Sequence, residues 1–142
     1  MARAVPGTPG VRADLIRHVL RRGSMPRAKL MKILFLIDRE LYRRCGATVF
    51  RWEARKHGPF SRDALDTLDS MEIYGSVVSR VEGGAVVYEL ASTADASLPE
   101  EVREAADRVL GEWAGRSADE LADYVFSLEE VRGARPGGPL LR

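Results

Sequence analysis

Asparagine and glutamine are absent from all 142 residues, and lysine is scarce: Lys29, Lys32 and Lys56 stand against a large excess of arginine. A chain without labile amides and rich in arginine suits a thermophile, and a GC-rich genome gives the same bias. Cysteine occurs once, as Cys45, which excludes an intrachain disulfide and a multi-cysteine metal site. A lone thiol near a helix end is expected simply to be packed. His18 and His57 are the two histidines; they lack the spacing of paired metal ligands, and no glycine-rich phosphate loop occurs. No stretch reaches the roughly 18 apolar residues of a membrane span, and residues 1–10 carry Arg3 but no apolar run of signal-peptide length. No cofactor and no membrane association are expected, and the chain reads as cytoplasmic.

What is present is the composition of one globular domain, with 45% hydrophobic and 30% charged residues and a net charge of +1. That near-zero total hides an asymmetry: residues 1–62 hold about 15 basic and 4 acidic side chains, and residues 63–142 about 7 and 17. Either the two halves neutralise each other, within the domain or across a symmetric homodimer, or the basic half receives an anionic partner.

The chain is organised around residues 24–46, read as a long helix. Leu30, Ile33, Leu34, Ile37 and Leu41 recur at helical spacing, and Met31, Phe35 and Leu36 widen the stripe until most of the middle is apolar. Ser24 is placed as its N-cap, Pro26 in its first turn and Gly46 at the left-handed position after its end. An amphipathic helix over residues 11–22, carrying Leu15, Ile16, Val19 and Leu20, precedes it after a short connection at Gly23. After Gly46 the period becomes two. Phe50, Trp52 and Ala54 alternate with Arg51, Glu53 and Arg55, which predicts a strand over residues 49–55 with one buried face. Lys56, His57, Gly58, Pro59 and Phe60 read as a turn, with His57 hydrogen-bonding across it.

Ser61 is placed to cap a helix over residues 62–73 whose apolar positions are Ala64, Leu65, Leu68 and Met71. Residues 76–90 read as a β-hairpin turning at Glu82, Gly83 and Gly84. Ser97 with Glu100, and Ser117 with Glu120, have capping-box spacing and predict two further helices. The ends, residues 1–10 and 129–142, read as tails around one domain spanning residues 11–128.

The predicted fold class is α+β: a mostly helical, winged-helix-like domain with one small antiparallel sheet, made of a strand and a hairpin. In that layout residues 62–73 take the place of the recognition helix, but they carry Asp63, Asp66, Asp69 and Glu72 against Arg62 alone. An acidic face of this kind is repelled by DNA.

The run from Arg27 to Asp38, the strand with Trp52, and then Lys56, His57, Gly58, Pro59, Phe60 and Ser61 resemble the Panacea domain, the family of SocA-like antitoxins, and overlap with winged-helix-like regulators. The resemblance spans residues 27–78. It implies a small non-enzymatic protein that neutralises a toxin or presents a client to a protease.

Catalytic alternatives are weak at the level of spacing. Cys45 with His57, or Ser61, His57 and Asp63, lie too close along the chain for the geometry a triad needs. The leading expectation is a regulatory protein that recognises a partner protein through Arg51, Arg55, Lys56, His57, Gly58, Pro59, Phe60 and Arg62, with Phe60 the aromatic most suited to a surface contact. The alternative is a dimeric DNA-binding regulator using Arg51, Arg55, Lys56 and Arg62 with Arg80 in the wing.

Overall fold

The computed structural model describes residues 7–92 and 95–142, so most of the expected N-terminal tail lies outside the described residues. The first helix, α1 (Pro9–Leu20), starts earlier than its apolar pattern indicates, because Val11 donates its N–H to the Thr8 hydroxyl and Pro9 sits in the first turn. Then comes a two-residue strand, β1 (Met25–Pro26), followed by the central helix α2 (Arg27–Cys45). Ser24 therefore does not cap α2. Met25 and Pro26 are drawn into antiparallel pairing with Tyr88 and Val87, and Pro26 occupies the N-cap position without offering a side-chain bond. The helix ends as expected, on Gly46 with φ 75°. Residues 30–38 and Leu41 are all buried, so α2 has neighbours on every side.

Strand β2 (Trp52–Arg55) keeps the alternation read from the sequence, with Trp52 and Ala54 inward. The following segment differs. Gly58, Pro59 and Phe60 are a strand, β3 (Gly58–Phe60), and the reversal is made by Lys56 and His57 alone. Pro59 is tolerated there because β3 is an edge strand. Helix α3 (Arg62–Ile73) begins at Ser61, whose hydroxyl accepts the Ala64 N–H at 3.2 Å. The hairpin follows as β4 (Val77–Glu82) and β5 (Ala85–Leu90), joined by Gly83 and Gly84, both at positive φ.

Helix α4 (Glu100–Trp113) starts at Pro99 and makes no side-chain cap; Ser97 lies outside its first turn, so that expected capping box does not form. The second one does: in α5 (Ala118–Ser127) Ser117 and Glu120 cap each other's backbone N–H. Trp113 of α4 stacks on Tyr124 of α5 at 4.6 Å. A single turn, α6 (Glu129–Arg132), leads to a last strand, β6 (Pro139–Leu140).

The fold is α+β with two three-stranded antiparallel sheets, β1-β5-β4 and β3-β2-β6, where the sequence predicted one. The expected C-terminal tail supplies the difference. Trp52 pairs with Leu140, and Leu140 is buried, because its side chain adds to the apolar cover of the core while its backbone completes a ladder that β2 otherwise leaves open.

Candidate functional site

A buried carboxylate sets the position of β2. Asp38 of α2 is fully buried and accepts three N–H groups: Val49 at 2.7 Å, Phe50 at 2.9 Å and the Trp52 indole at 2.8 Å. Burial pushes its carboxyl up to about 7 against the pull of these three donors and of the more distant Arg12. Phe35 and Phe50 pack edge-on against Trp52, at 5.4 and 6.2 Å. Sequence spacing gave Asp38 no role, because the groups it binds lie 11 to 14 residues away on another element.

The β2–β3 hairpin thus anchored forms one wall of a groove of about 610 Å³. Arg55, Lys56, His57, Gly58, Pro59 and Phe60 line that wall; Arg27, Ala28, Met31 and Lys32 of α2 line the floor; Gly84, Ala85 and Val86 of the β4–β5 hairpin close the far side. Gly58 is required where it stands. It holds φ 114°, and a Cβ there would meet Phe126 Cζ at 3.5 Å and Lys32 Cε at 3.6 Å. The Phe60 ring is overlaid by two guanidinium groups, Arg55 at 4.3 Å and Arg62 at 5.7 Å.

Lys32 is the unusual member. Only 8% of the residue is exposed, its ammonium donates to the His57 carbonyl at 3.4 Å and lies 6.0 Å from the Phe126 ring, and among the described residues no carboxylate is within ion-pair distance. Burial lowers its pKa from the ordinary lysine value. It is the carbonyl of His57, not its imidazole as expected, that takes a bond at this turn.

Six of the eight residues expected to bind a partner meet in this groove. Arg51 and Arg62 do not line it; they border a small pocket with Trp52, Glu53 and Asp63. Arg51 is tied to Asp63, which also receives Arg12 at 3.1 Å, and the Asp63 carboxyl is lowered by these partners even as burial raises it. Arg80 at the wing is paired with both Glu82 and Glu89. Arg55 is paired with Glu53 at 2.7 Å.

Part of the charge asymmetry of the sequence is neutralised inside the chain. Arg39 reaches Glu130 at 2.6 Å, Arg44 reaches Glu104 at 3.3 Å and His18 reaches Asp107 at 2.7 Å, each pair joining the basic half to the acidic one. In the groove the balance is left positive: among the described residues no aspartate or glutamate lines it, and Arg27 is directed to the Tyr88 hydroxyl at 2.6 Å rather than to a carboxylate.

The arrangements weighed for catalysis are engaged otherwise. The Cys45 thiol donates to the Leu41 carbonyl, Ser61 caps α3 and Asp63 holds Arg12 and Arg51. Among the described residues no three metal-ligating side chains cluster, and no helix is long and apolar enough to cross a membrane.

With this geometry in hand, comparison with known families gives one result: the family model of the antitoxin SocA-like Panacea domain matches residues 30–130. The chain belongs to the SocA-like Panacea family. The match runs from the first turn of α2 into α6, so this Panacea domain includes both hairpins and the two charged helices α4 and α5, well beyond residues 27–78, which carry the sequence resemblance. Among curated proteins and solved structures, no match to this Panacea chain is found.

Proposed function

We propose that this chain is an antitoxin-like regulatory protein that acts without catalysis and binds a partner protein, such as a toxin, in the groove between α2 and the two hairpins. Family membership supports the class of function. One observation supports the place: the groove is where a basic lining, without acidic residues among the described ones, coincides with half-buried apolar surface from Phe60, Ala85 and Val86. A cleft of about 610 Å³ with an apolar body and a few convergent polar groups has room for one or two side chains of a partner. The acidic helix α3 keeps Asp66, Asp69 and Glu72 exposed, and none of them lines the groove.

The test is a photo-reactive amino acid at Ala85 of the full chain, in cells of the native host. One dominant crosslinked protein is expected, and Lys56→Glu should abolish it. No crosslink at Ala85, with efficient crosslinking from an equivalent probe at the exposed Glu112, rejects the groove as the partner site. The DNA-binding alternative has thinner support, since Arg51, Arg55 and Arg80 each spend their charge on a neighbouring carboxylate. It predicts steeply salt-dependent binding to genomic fragments, and a gel shift at low salt decides it.

A further inference from the structure

Resting on the partner-binding reading above, we infer that the groove reads a carboxylate: its occupant is an acidic protein segment whose Asp or Glu side chain pairs with Lys32 while a neighbouring apolar side chain packs on Met31 and Phe60. The first support is the state of Lys32 itself. A buried ammonium without a carboxylate within reach is costly, whereas the other buried ionisable side chains, Asp38 and Asp63, each hold several partners of their own. Apart from the Phe126 ring, a single long bond to a backbone carbonyl is what the ammonium has, so two of its three N–H donors lack a hydrogen-bond acceptor among the described residues.

The second support is independent of Lys32. The N-terminus of the 19-residue helix α2 opens into the same groove at Arg27 and Ala28, and its N-cap, Pro26, supplies no side-chain acceptor. The first N–H groups of a long helix and the positive end of its dipole favour an anion there. A chain meant to be complete on its own normally places Ser, Thr, Asp or Asn at that position.

The chemistry of the lining favours a carboxylate over a phosphate. Phosphate recognition usually relies on arginine forks, whereas here the floor cation is a lysine, Arg27 is engaged by Tyr88 and Arg55 by Glu53 and Phe60. The apolar lining suits a singly charged group flanked by leucine-like side chains better than a dianion that keeps its water. The lowered pKa of Lys32 adds a consequence, since a bound carboxylate should restore it towards the ordinary value.

The experiment uses the full 15N-labelled chain and three probes: an acetylated and amidated pentapeptide Leu-Glu-Leu-Glu-Leu, its Leu-Gln-Leu-Gln-Leu counterpart, and inorganic phosphate. The acidic peptide is expected to shift the Gly58, Gly84 and Val86 amides saturably and to bind about tenfold more tightly than the neutral one. Lys32→Met should erase that preference, and Lys32→Arg should retain part of it, with the spectrum confirming that both variants fold. Equal affinity for the two peptides overturns the inference while leaving partner binding in the groove intact. Phosphate binding more tightly than the acidic peptide overturns it in favour of a phosphate site. No shift with any probe up to about 5 mM overturns it as well, and the crosslinking experiment at Ala85 then decides separately whether a partner uses the groove.

Discussion

Trp52 donates its indole N–H to the buried carboxylate of Asp38 at 2.8 Å, joining β2 to the middle of the central helix. Two backbone N–H groups, of Val49 and Phe50, converge on the same carboxylate, so the entry to β2 and its first side chain are set by one residue of α2. Removing the acceptor strands three buried donors. Asp38→Ala is expected to cost about 3 kcal/mol or more, measured by urea unfolding.

The same carboxyl predicts a pH dependence. Asp38 is raised to about 7 in the folded chain from an ordinary 3.8, so between these values the folded state holds a proton that the unfolded state has lost. Its contribution to stability is fully present below about pH 4 and is lost as the pH rises through about 7. Asp38→Asn should be less stable than wild type throughout, because its amide group faces N–H donors, but the gap should narrow between pH 5 and pH 8. Unfolding curves at the two pH values check this, and a constant gap would falsify it.

Lys32 is expected to trade stability for recognition. Lys32→Met removes a desolvated cation from beneath Gly58 and keeps the volume of the stem, so the thermal midpoint should rise by about 3 °C. A scan showing a clear fall instead would mean that the ammonium is a net stabiliser of the hairpin.

Gly58 holds a conformation that side chains rarely adopt, with φ 114°, and it is covered by Phe126 and Lys32. Gly58→Ala should destabilise the chain by about 1–3 kcal/mol through backbone strain. It should also broaden the groove-wall amides of residues 55–60 in an NMR spectrum while leaving those of α4 sharp. Sharp signals throughout would show that the turn adapts freely.

Leu140 is buried opposite Trp52, and the glycines leading into its strand are bonded to Ala54 of β2, whose N–H donates to the Gly138 carbonyl at 2.8 Å and whose carbonyl accepts the Gly137 N–H at 2.7 Å. Leu140→Ala is expected to cost about 2–3 kcal/mol. Hydrogen exchange at Ala54 should accelerate markedly, while exchange in α2 should rise only in proportion to the loss of global stability. Unchanged protection at Ala54 would mean that β6 adds nothing to the hairpin.

Much of this architecture can be read along the chain, and what cannot has a physical cause. The all-apolar middle of α2, the alternation in β2, the Ser61 cap and the capping box at Ser117 depend on neighbours within four residues, so local spacing reveals them. β1 and β6 are invisible on that basis. Each is two residues long, and each exists only because a distant strand offers a free edge. Met25 and Pro26 look like the start of a helix until Tyr88 and Val87 claim them.

The groove shows the same division. Its hairpin wall is legible because Gly58, Pro59 and an aromatic residue follow a strand, whereas Lys32 is hidden in the sequence inside a run of helix formers with ordinary basic punctuation. Only the descent of Gly58 onto it, 26 positions later, turns a surface-type residue into a buried one. Arg51 and Arg62, equally basic and closer to the turn in sequence, point to the neighbouring pocket instead.

The bonds from Ala54 to Gly137 and Gly138 also impose an order of events on a ribosome. β2 and β3 are made close together, but β2 then waits for its other neighbour for about eighty more residues, several seconds at usual elongation speeds of about 5–20 residues per second. Throughout that interval one edge of the groove's wall has no strand beside it. A partner that demands the finished wall therefore engages only chains whose residues 137–140 have already left the ribosome.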